Sequence, residues 1–212
     1  MHVAIRTEEE RDFARVEALT KEAFWNLYRP GCDEHYLVHV MNGHPDCIDE
    51  LNHVAVIDDE IVGSIRYTKS HVTDENDERV ETVTFGPLCV HPDHQRVGIG
   101  TRLIEHTKEL VIQKKYPAII IFGDPHNYCK HGFRNGKDCR ISTMDGKHPL
   151  GLLVLELQKG IFDNHDWRFE ESKVYEIDED EAIAYDRSLP YKEKSTAYSQ
   201  ELFSMLIRSF VE

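Results

Sequence analysis

The 212-residue sequence has no apolar run long enough to span a bilayer, so no membrane-embedded helix is expected. Basic residues are scarce, 25 Lys and Arg against 39 Asp and Glu, and they do not cluster. With a formal charge of -14 the chain cannot neutralise a phosphate backbone, which excludes a general nucleic-acid partner. The acidity serves solubility, or steers a cationic amine toward the surface. Cysteine is sparse as well: Cys32, Cys47, Cys89, Cys129 and Cys139 are odd in number and scattered, which argues for reduced thiols over a disulfide framework. The opening MHVAIRTEEERD carries neither the basic nor the apolar region of a signal peptide, and a cytoplasmic location is expected. Repeats and low-complexity linkers are missing too. A hydrophobic content of 40% over this length supports one full core with room for an appendage.

The periodicity alternates between strand and helix. A strand over residues 2–6 leads into a helical pattern over 7–25, where Thr7 and Glu10 have the spacing of a capping box. A shorter helix is predicted over 33–41, ended by Asn42-Gly43. Strand-like runs at 52–58 and 61–71 flank a hairpin turn at Asp59-Glu60, and Gly63 marks a bulge or a close approach. A third run over 81–90 completes an antiparallel meander. Helical periodicity over 95–115 is followed by the continuous apolar strand AIIIF at 118–122, so strand, crossover helix and strand make a parallel unit. Asp124 and Pro125 cap a short helix that ends near Gly132, and residues 150–157 form a further strand whose continuation to Gly160 reads as a C-terminal hairpin. From residue 176 the character changes: an acidic helix opens at Asp178, Pro190 interrupts it, and 195–211 resumes with Leu202, Phe203, Leu206, Ile207 and Phe210 on one stripe. That stripe is expected to pack on the domain or to meet a second copy in a homodimer.

The chemistry concentrates where the 81–90 run gives way to the long helix. The spacing there is neither G-x-G-x-x-G nor G-x-x-x-x-G-K-[ST]; it is Q-x-x-G-x-G, at Gln95, Gly98 and Gly100. Glycines at 98 and 100 remove the Cβ atoms that would hold an anion away from the unpaired N–H groups of the first turn, where the helix dipole also favours negative charge. A pyrophosphate suits such a turn. With Leu88-Cys89-Val90-His91-Pro92 just upstream and Tyr128-Cys129-Lys130-His131-Gly132-Phe133 downstream, this stretch resembles the GNAT superfamily of N-acetyltransferases. The family loop reads [QR]-x-x-G-x-[GA] after a strand ending in hydrophobic-Val-x-Pro, and a Y-x-x-x-G-F segment often follows its fifth strand. A subgroup of bacterial predicted N-acetyltransferases carries two adjacent tyrosines at the latter segment; here Asn127 stands in the first position.

The resemblance implies an α+β fold with a mixed, mostly antiparallel twisted sheet, a central strand-helix-strand unit for acetyl-CoA, and flanking helices, over residues 1–175, with 176–212 as a helical extension. It implies acetyl-CoA as acyl donor and a small-molecule or protein amine as acceptor. Gln95, Arg96, Val97, Gly98, Ile99, Gly100 and Thr101 would hold the pyrophosphate, and Leu88, Cys89 and Val90 would pair with the pantetheine amides as an added strand. The Gly86-Pro87 pair would interrupt strand pairing and open the thioester to the acceptor. The N–H of Leu88 or Cys89 would stabilise the oxyanion, and Tyr128, matched to the family tyrosine near the cofactor sulfur, would protonate the leaving thiolate. Glu81, His71 and His91 are the candidates for accepting the amine proton, directly or through water.

Three other readings compete. A non-catalytic acyl-CoA sensor or assembly module would keep the loop without turnover. Cys89 and Cys129 raise acyl transfer through cysteine, for which no triad signature is visible. Cys32, His35, His39, His44, Cys47 and His53 invite a metal, yet their order lacks the paired knuckle of zinc sites, and no metal is expected.

Overall fold

The computed structural model describes residues 2–212. Nine strands are hydrogen-bonded in the order β1-β2-β3-β4-β5-β8-β6, with β9 pairing to β3 and β7 off this path. They are β1 (Ala4–Thr7), β2 (His53–Ile57), β3 (Glu60–Thr73), β4 (Arg79–Val90), β5 (Ala118–Phe122), β6 (Arg134–Asn135), β7 (Ile141–Thr143), β8 (Leu152–Glu156) and β9 (Trp167–Glu170). The helices are α1 (Phe13–Phe24), α2 (Glu34–Met41), α3 (Ile99–Gln113), α4 (Pro125–Tyr128), α5 (Glu179–Ser188) and α6 (Tyr198–Ile207). Pairing is parallel at β4–β5 and β7–β9 and antiparallel at β1–β2, β2–β3, β3–β9, β5–β8 and β6–β8, so the predicted mixed, mostly antiparallel sheet flanked by helices is what forms. The chain divides into two compact units, 1–67 with 86–108 and 173–202, and 68–85 with 109–172 and 203–212.

In the first unit β3 is buried on both faces, and its alternation assigns a helix to each. Gly63 meets Ile99 and Leu103 of α3, and the Tyr67 hydroxyl bonds Thr107 of the same helix at 2.8 Å. From the opposite face Arg66 donates to Glu8, to the Val38 carbonyl of α2 and to Asn42. Val16, Leu19, Val38, Val54, Ile61 and Cys89 form the core under α1 and α2. The tail adds to this layer: Tyr36 donates to Glu181 at 2.7 Å, Tyr185 to Glu17 at 2.6 Å, and Lys21 pairs with Asp186 at 2.7 Å. The second unit is built on β5, antiparallel to β8 along its whole length and parallel to β4 at Val83↔Ile119. Val72, Ile120, Ile141, Val154, Trp167 and Phe169 are among its core residues.

Several local expectations shift. The helix-entry box is not Thr7 with Glu10: Thr7 closes β1 opposite His53, and the Glu9 N–H donates to Asp12 Oδ2 at 2.9 Å. Arg6 also binds that carboxylate, which fixes Asp12 as the partner and delays α1 to Phe13. The hairpin turn lies at Asp58-Asp59, both in the left-handed region at φ 48 and 66, because a two-residue hairpin turn of this kind needs positive φ at both centres and Glu60 already pairs with Ile57. Gly63 is indeed a close approach, and the register shift falls beside it, opposite Ala55 and Val56. No hairpin partner follows β8; the chain past Gly160 returns as β9 against β3 and β7. The last helix stops at Ile207, so Phe210 leaves the stripe and bridges Pro149, while Leu202 and Ile207 stay about half exposed or more, at 49% and 58%.

His35 shows how the first unit is sealed. The ring is 1% exposed, bonded through Nδ1 to the Cys32 thiol at 3.3 Å, with Nε2 3.5 Å from Asp186. Burial pushes its pKa down to about 4, with Lys21 adding to the shift. Unfolding frees it to bind a proton below its ordinary value near 6.5, so its contribution is complete above that pH and is lost as pH falls toward 4. Between pH 7 and pH 5 the urea stability of the wild type should therefore drop by about 2 kcal/mol relative to His35→Gln. Parallel pH profiles for the two proteins would rule out this role.

Candidate functional site

Strand β4 ends in unit one with backbone groups divided between two edges. The His91 N–H donates to the Val62 carbonyl of β3 at 2.8 Å, and neighbouring residues of a strand face opposite edges. Cys89 therefore shares the β3 edge with His91, whereas Leu88 and Val90 face away. The Cys89 side chain is buried with Sγ 3.6 Å from Thr20 Oγ1, and burial pushes its thiol up to about 11. This separates residues that the sequence grouped: Leu88 offers its N–H at the outer edge and Cys89 does not. The Val90 carbonyl is already taken, accepting from Gln95 Nε2 at 3.0 Å. Gln95 thus ties the loop to the strand end.

The loop itself explains why α3 starts at Ile99 and not at Gln95. A single 3-10 turn, Pro92–His94, is followed by extended Gln95 and then by left-handed Arg96 (φ 64) and Gly98 (φ 90), neither compatible with a helix. The first helical bond joins the Arg102 N–H to the Gly98 carbonyl at 3.0 Å, so the N–H groups of Ile99, Gly100 and Thr101 precede it. Arg96, Val97, Gly98 and Thr101 are exposed; the Ile99 side chain is buried against Gly63, so only its amide can face a ligand. Gly98 is demanded by its φ. Gly100 has no such need, and a Cβ there would touch only Val90 at 3.8 Å. Open space stands over the turn, with no protein atom within 4 Å of a Cβ built on Gly98. His91, at the loop entrance, lies 3.4 Å from Glu22, which also pairs with Arg15.

One residue near the strand end escaped the sequence reading. Tyr175, in a 3-10 turn at Lys173–Tyr175, donates from its hydroxyl to the Gly86 carbonyl at 3.3 Å, and its ring covers that glycine. Gly86 precedes Pro87 by a cis bond inside β4. No motif announces Tyr175, because it reaches β4 from 89 residues away in sequence.

The second unit carries the other candidates. Asp124 accepts from the His126 N–H at 2.9 Å and Pro125 opens α4, as predicted. Tyr128 is half-buried against Phe85 and Phe133, with ring centroids 5.6 and 5.9 Å away. Its ring lies so close over Gly123 that a Cβ there would sit 2.5 Å from Cε2. Glu81 is exposed on β4, four residues before Phe85 and hence about 13 Å along the strand. His71 Nδ1 accepts from Arg79 Nη2 at 2.9 Å and the ring faces Glu170 at 3.6 Å, and burial, then Arg79, lowers its pKa. Cys129 is exposed.

The Cys32–His53 residues are each engaged locally. Besides the Cys32–His35 bond, His39 meets Glu17 at 3.1 Å, His44 accepts from the Asp46 N–H, Cys47 donates to the Met41 carbonyl, and His53 bonds the Leu51 carbonyl. The ligand-type atoms that do converge are those of Asp74, Glu75 and His165, all within 4.8 Å. Both carboxylates already accept backbone N–H bonds there, Asp74 from Asn76 and Glu78 and Glu75 from Asp166.

Residues 49–135 match the family model described as an acetyltransferase (GNAT) domain. No curated protein matches the chain in sequence. Among solved structures, the GNAT family N-acetyltransferase YhbS of Escherichia coli, in complex with CoA, superposes with a TM-score of 0.72 at 19% identity, over 84% of this chain and 93% of that one. A GNAT family acetyltransferase of Brucella melitensis, in complex with acetyl-CoA, gives 0.64 at 20% identity over 82% and 98%. PaiA N-acetyltransferase of Thermoplasma acidophilum, with coenzyme A, gives 0.51 at 14% identity over 74% and 99%. Residues 49–135 thus resemble an acetyltransferase (GNAT) domain, and the chain has the fold of these GNAT structures.

Proposed function

We propose that the protein is an N-acetyltransferase that moves the acetyl group of acetyl-CoA to a primary amine by direct attack in a ternary complex. The observation that carries this reading is the bare first turn of α3, where the amides of residues 99–101 precede the helical ladder and open space lies above Gly98. The CoA and acetyl-CoA bound to the Escherichia coli and Brucella melitensis proteins support the choice of donor.

On this reading the pyrophosphate accepts from the α3 amides, with Arg96 and Thr101 at the same exposed turn, and pantetheine pairs with the outer edge of β4. A neutral amine attacks the thioester carbonyl carbon. The Leu88 N–H donates to the oxyanion as the tetrahedral carbon forms. The C–S bond then breaks, and the Tyr128 hydroxyl supplies the proton that leaves with the CoA thiol; a phenol is neutral at pH 7 and still able to donate. The amine proton passes to Glu81, His71 or His91, directly or through water. Most of the acceleration comes from holding donor and acceptor together, for which effective molarities on the order of 10⁵ M are available.

Release of free thiol from acetyl-CoA in the presence of an amine panel tests the reaction, and CoA binding without any thiol release would leave a binding module instead. Gly100→Glu separates the loop's ligand role from its fold role. A carboxylate in the first turn should hold stability level or raise it by about 0.3–1 kcal/mol, while weakening CoA binding about 100-fold. Unchanged CoA affinity in that variant would remove the loop from the site. Tyr128→Phe should cut turnover about 100-fold at nearly constant KM for acetyl-CoA, and full turnover would end its role as acid.

A further inference from the structure

After α5 the chain runs without regular structure through residues 189–197 and is strapped to the end of α1. Trp25 Nε1 donates to the Glu193 carbonyl at 2.8 Å, Asn26 Nδ2 donates to Ser195 Oγ at 2.9 Å, and the Ser195 N–H donates to Asn26 Oδ1 at 3.0 Å. Between this strap and α5 lies a cavity of about 450 Å³, within the size range of small-molecule sites. Ile183, Leu189 and Pro190 give it an apolar wall, and Arg187, Lys192 and Lys194 give it cationic groups.

The positive charge is out of keeping with a chain of net charge -14. Three ammonium groups converge on one indole: Lys21, Lys192 and Lys194 stand 4.9, 5.7 and 5.7 Å from the Trp25 ring. Asp186 answers two of them, at 2.7 Å from Lys21 and 3.6 Å from Lys194. Among the described residues Arg187 and Lys192 have no carboxylate partner within ion-pair distance, and Glu193, between the two lysines, gives its main-chain carbonyl to Trp25. Like charges gathered beside an apolar surface repel one another, and an anion placed among them relieves that repulsion.

We propose that this cavity binds a small organic anion, an apolar or aromatic body bearing a carboxylate or phosphate, with Arg187 and Lys192 holding the anionic group and Ile183, Leu189 and Pro190 covering the body. The site is independent of the acetyl-CoA loop and stands whether or not the proposed reaction does.

Titration of the full chain with benzoate and with phenyl phosphate, followed by calorimetry and by Trp fluorescence, tests it, with benzylamine and benzyl alcohol as cationic and neutral controls. Saturable binding of at least one anion at millimolar concentration or below is expected, weakened by salt, with neither control binding. The double variant Arg187→Gln, Lys192→Gln should weaken that binding about tenfold or more. Both side chains are exposed, so the double variant should fold normally. Gly100→Glu should leave it intact, which distinguishes this site from a phosphate captured by the α3 loop. Absence of saturable binding by both anions, or binding that survives the double variant, overturns the proposal.

Discussion

The depth to which α3 sinks against β3 sets the geometry of the loop, and Gly63 sets that depth. A Cβ at this position would lie 3.1 Å from both Ile99 Cγ2 and Leu103 Cδ1 and 3.3 Å from the Ala55 Cβ. A Cβ here would require the Ile99 and Leu103 side chains to give by a few tenths of an ångström, and a larger side chain would press harder on α3, since packed interiors have little room to give. The adjacent register shift turns the Val62 carbonyl to the His91 N–H, so the same few residues of β3 position the start of the loop as well as the helix that follows it. With both ends held, the left-handed residues Arg96 and Gly98 are the means of joining them, and the α3 amides are left facing outward.

On the other face of β3 a buried ion pair does comparable work for α1 and α2. Arg66 and Glu8 are both nearly inaccessible, at 2% and 8%, and Arg66 spends its remaining donors on the Val38 carbonyl and Asn42. Burial raises the Glu8 carboxyl more than Arg66 lowers it, so the pair contributes little net stability beside an apolar alternative. Its effect is on arrangement. A guanidinium bonded through four of its five N–H groups favours one placement of the β1–α1 connection, the end of α2 and β3, and removing one partner would leave an uncompensated charge inside.

How much of this could be read in the sequence follows the range of each interaction. The AIIIF strand and the Asp124-Pro125 cap are local signals, and each leads to the element it suggests. Boundaries failed where a distant or competing partner intervened: Arg6 claims Asp12 and moves the start of α1, and positive φ at Arg96 postpones α3. Strands β6, β7 and β9 are two to four residues long and lie among turn residues, too short for alternation to register. Tyr175 was invisible for a related reason, since its meaning depends on a carbonyl near the cis bond of β4. The edge to which Leu88 or Cys89 points could not be chosen either. That depends on strand phase, which the His91 to Val62 bond reveals.

Among the groups proposed to take the amine proton, the bonding pattern ranks two of them. His71 has a lowered pKa and is largely neutral at pH 7, which suits a base, but its Nδ1 is engaged with Arg79 and its Nε2 faces Glu170. A proton taken there would sit beside a guanidinium, and the imidazolium would be disfavoured by the same contact that makes the ring available. Glu81 has no such contact with a guanidinium: it is exposed on β4. It stands about 13 Å along β4 from Phe85, the ring beside Tyr128, so on the proposed mechanism it would act through water. A solvated relay makes proton removal weakly tuned, so on the proposed mechanism the rate would rest on how well the strand edge and the α3 amides hold the thioester in place.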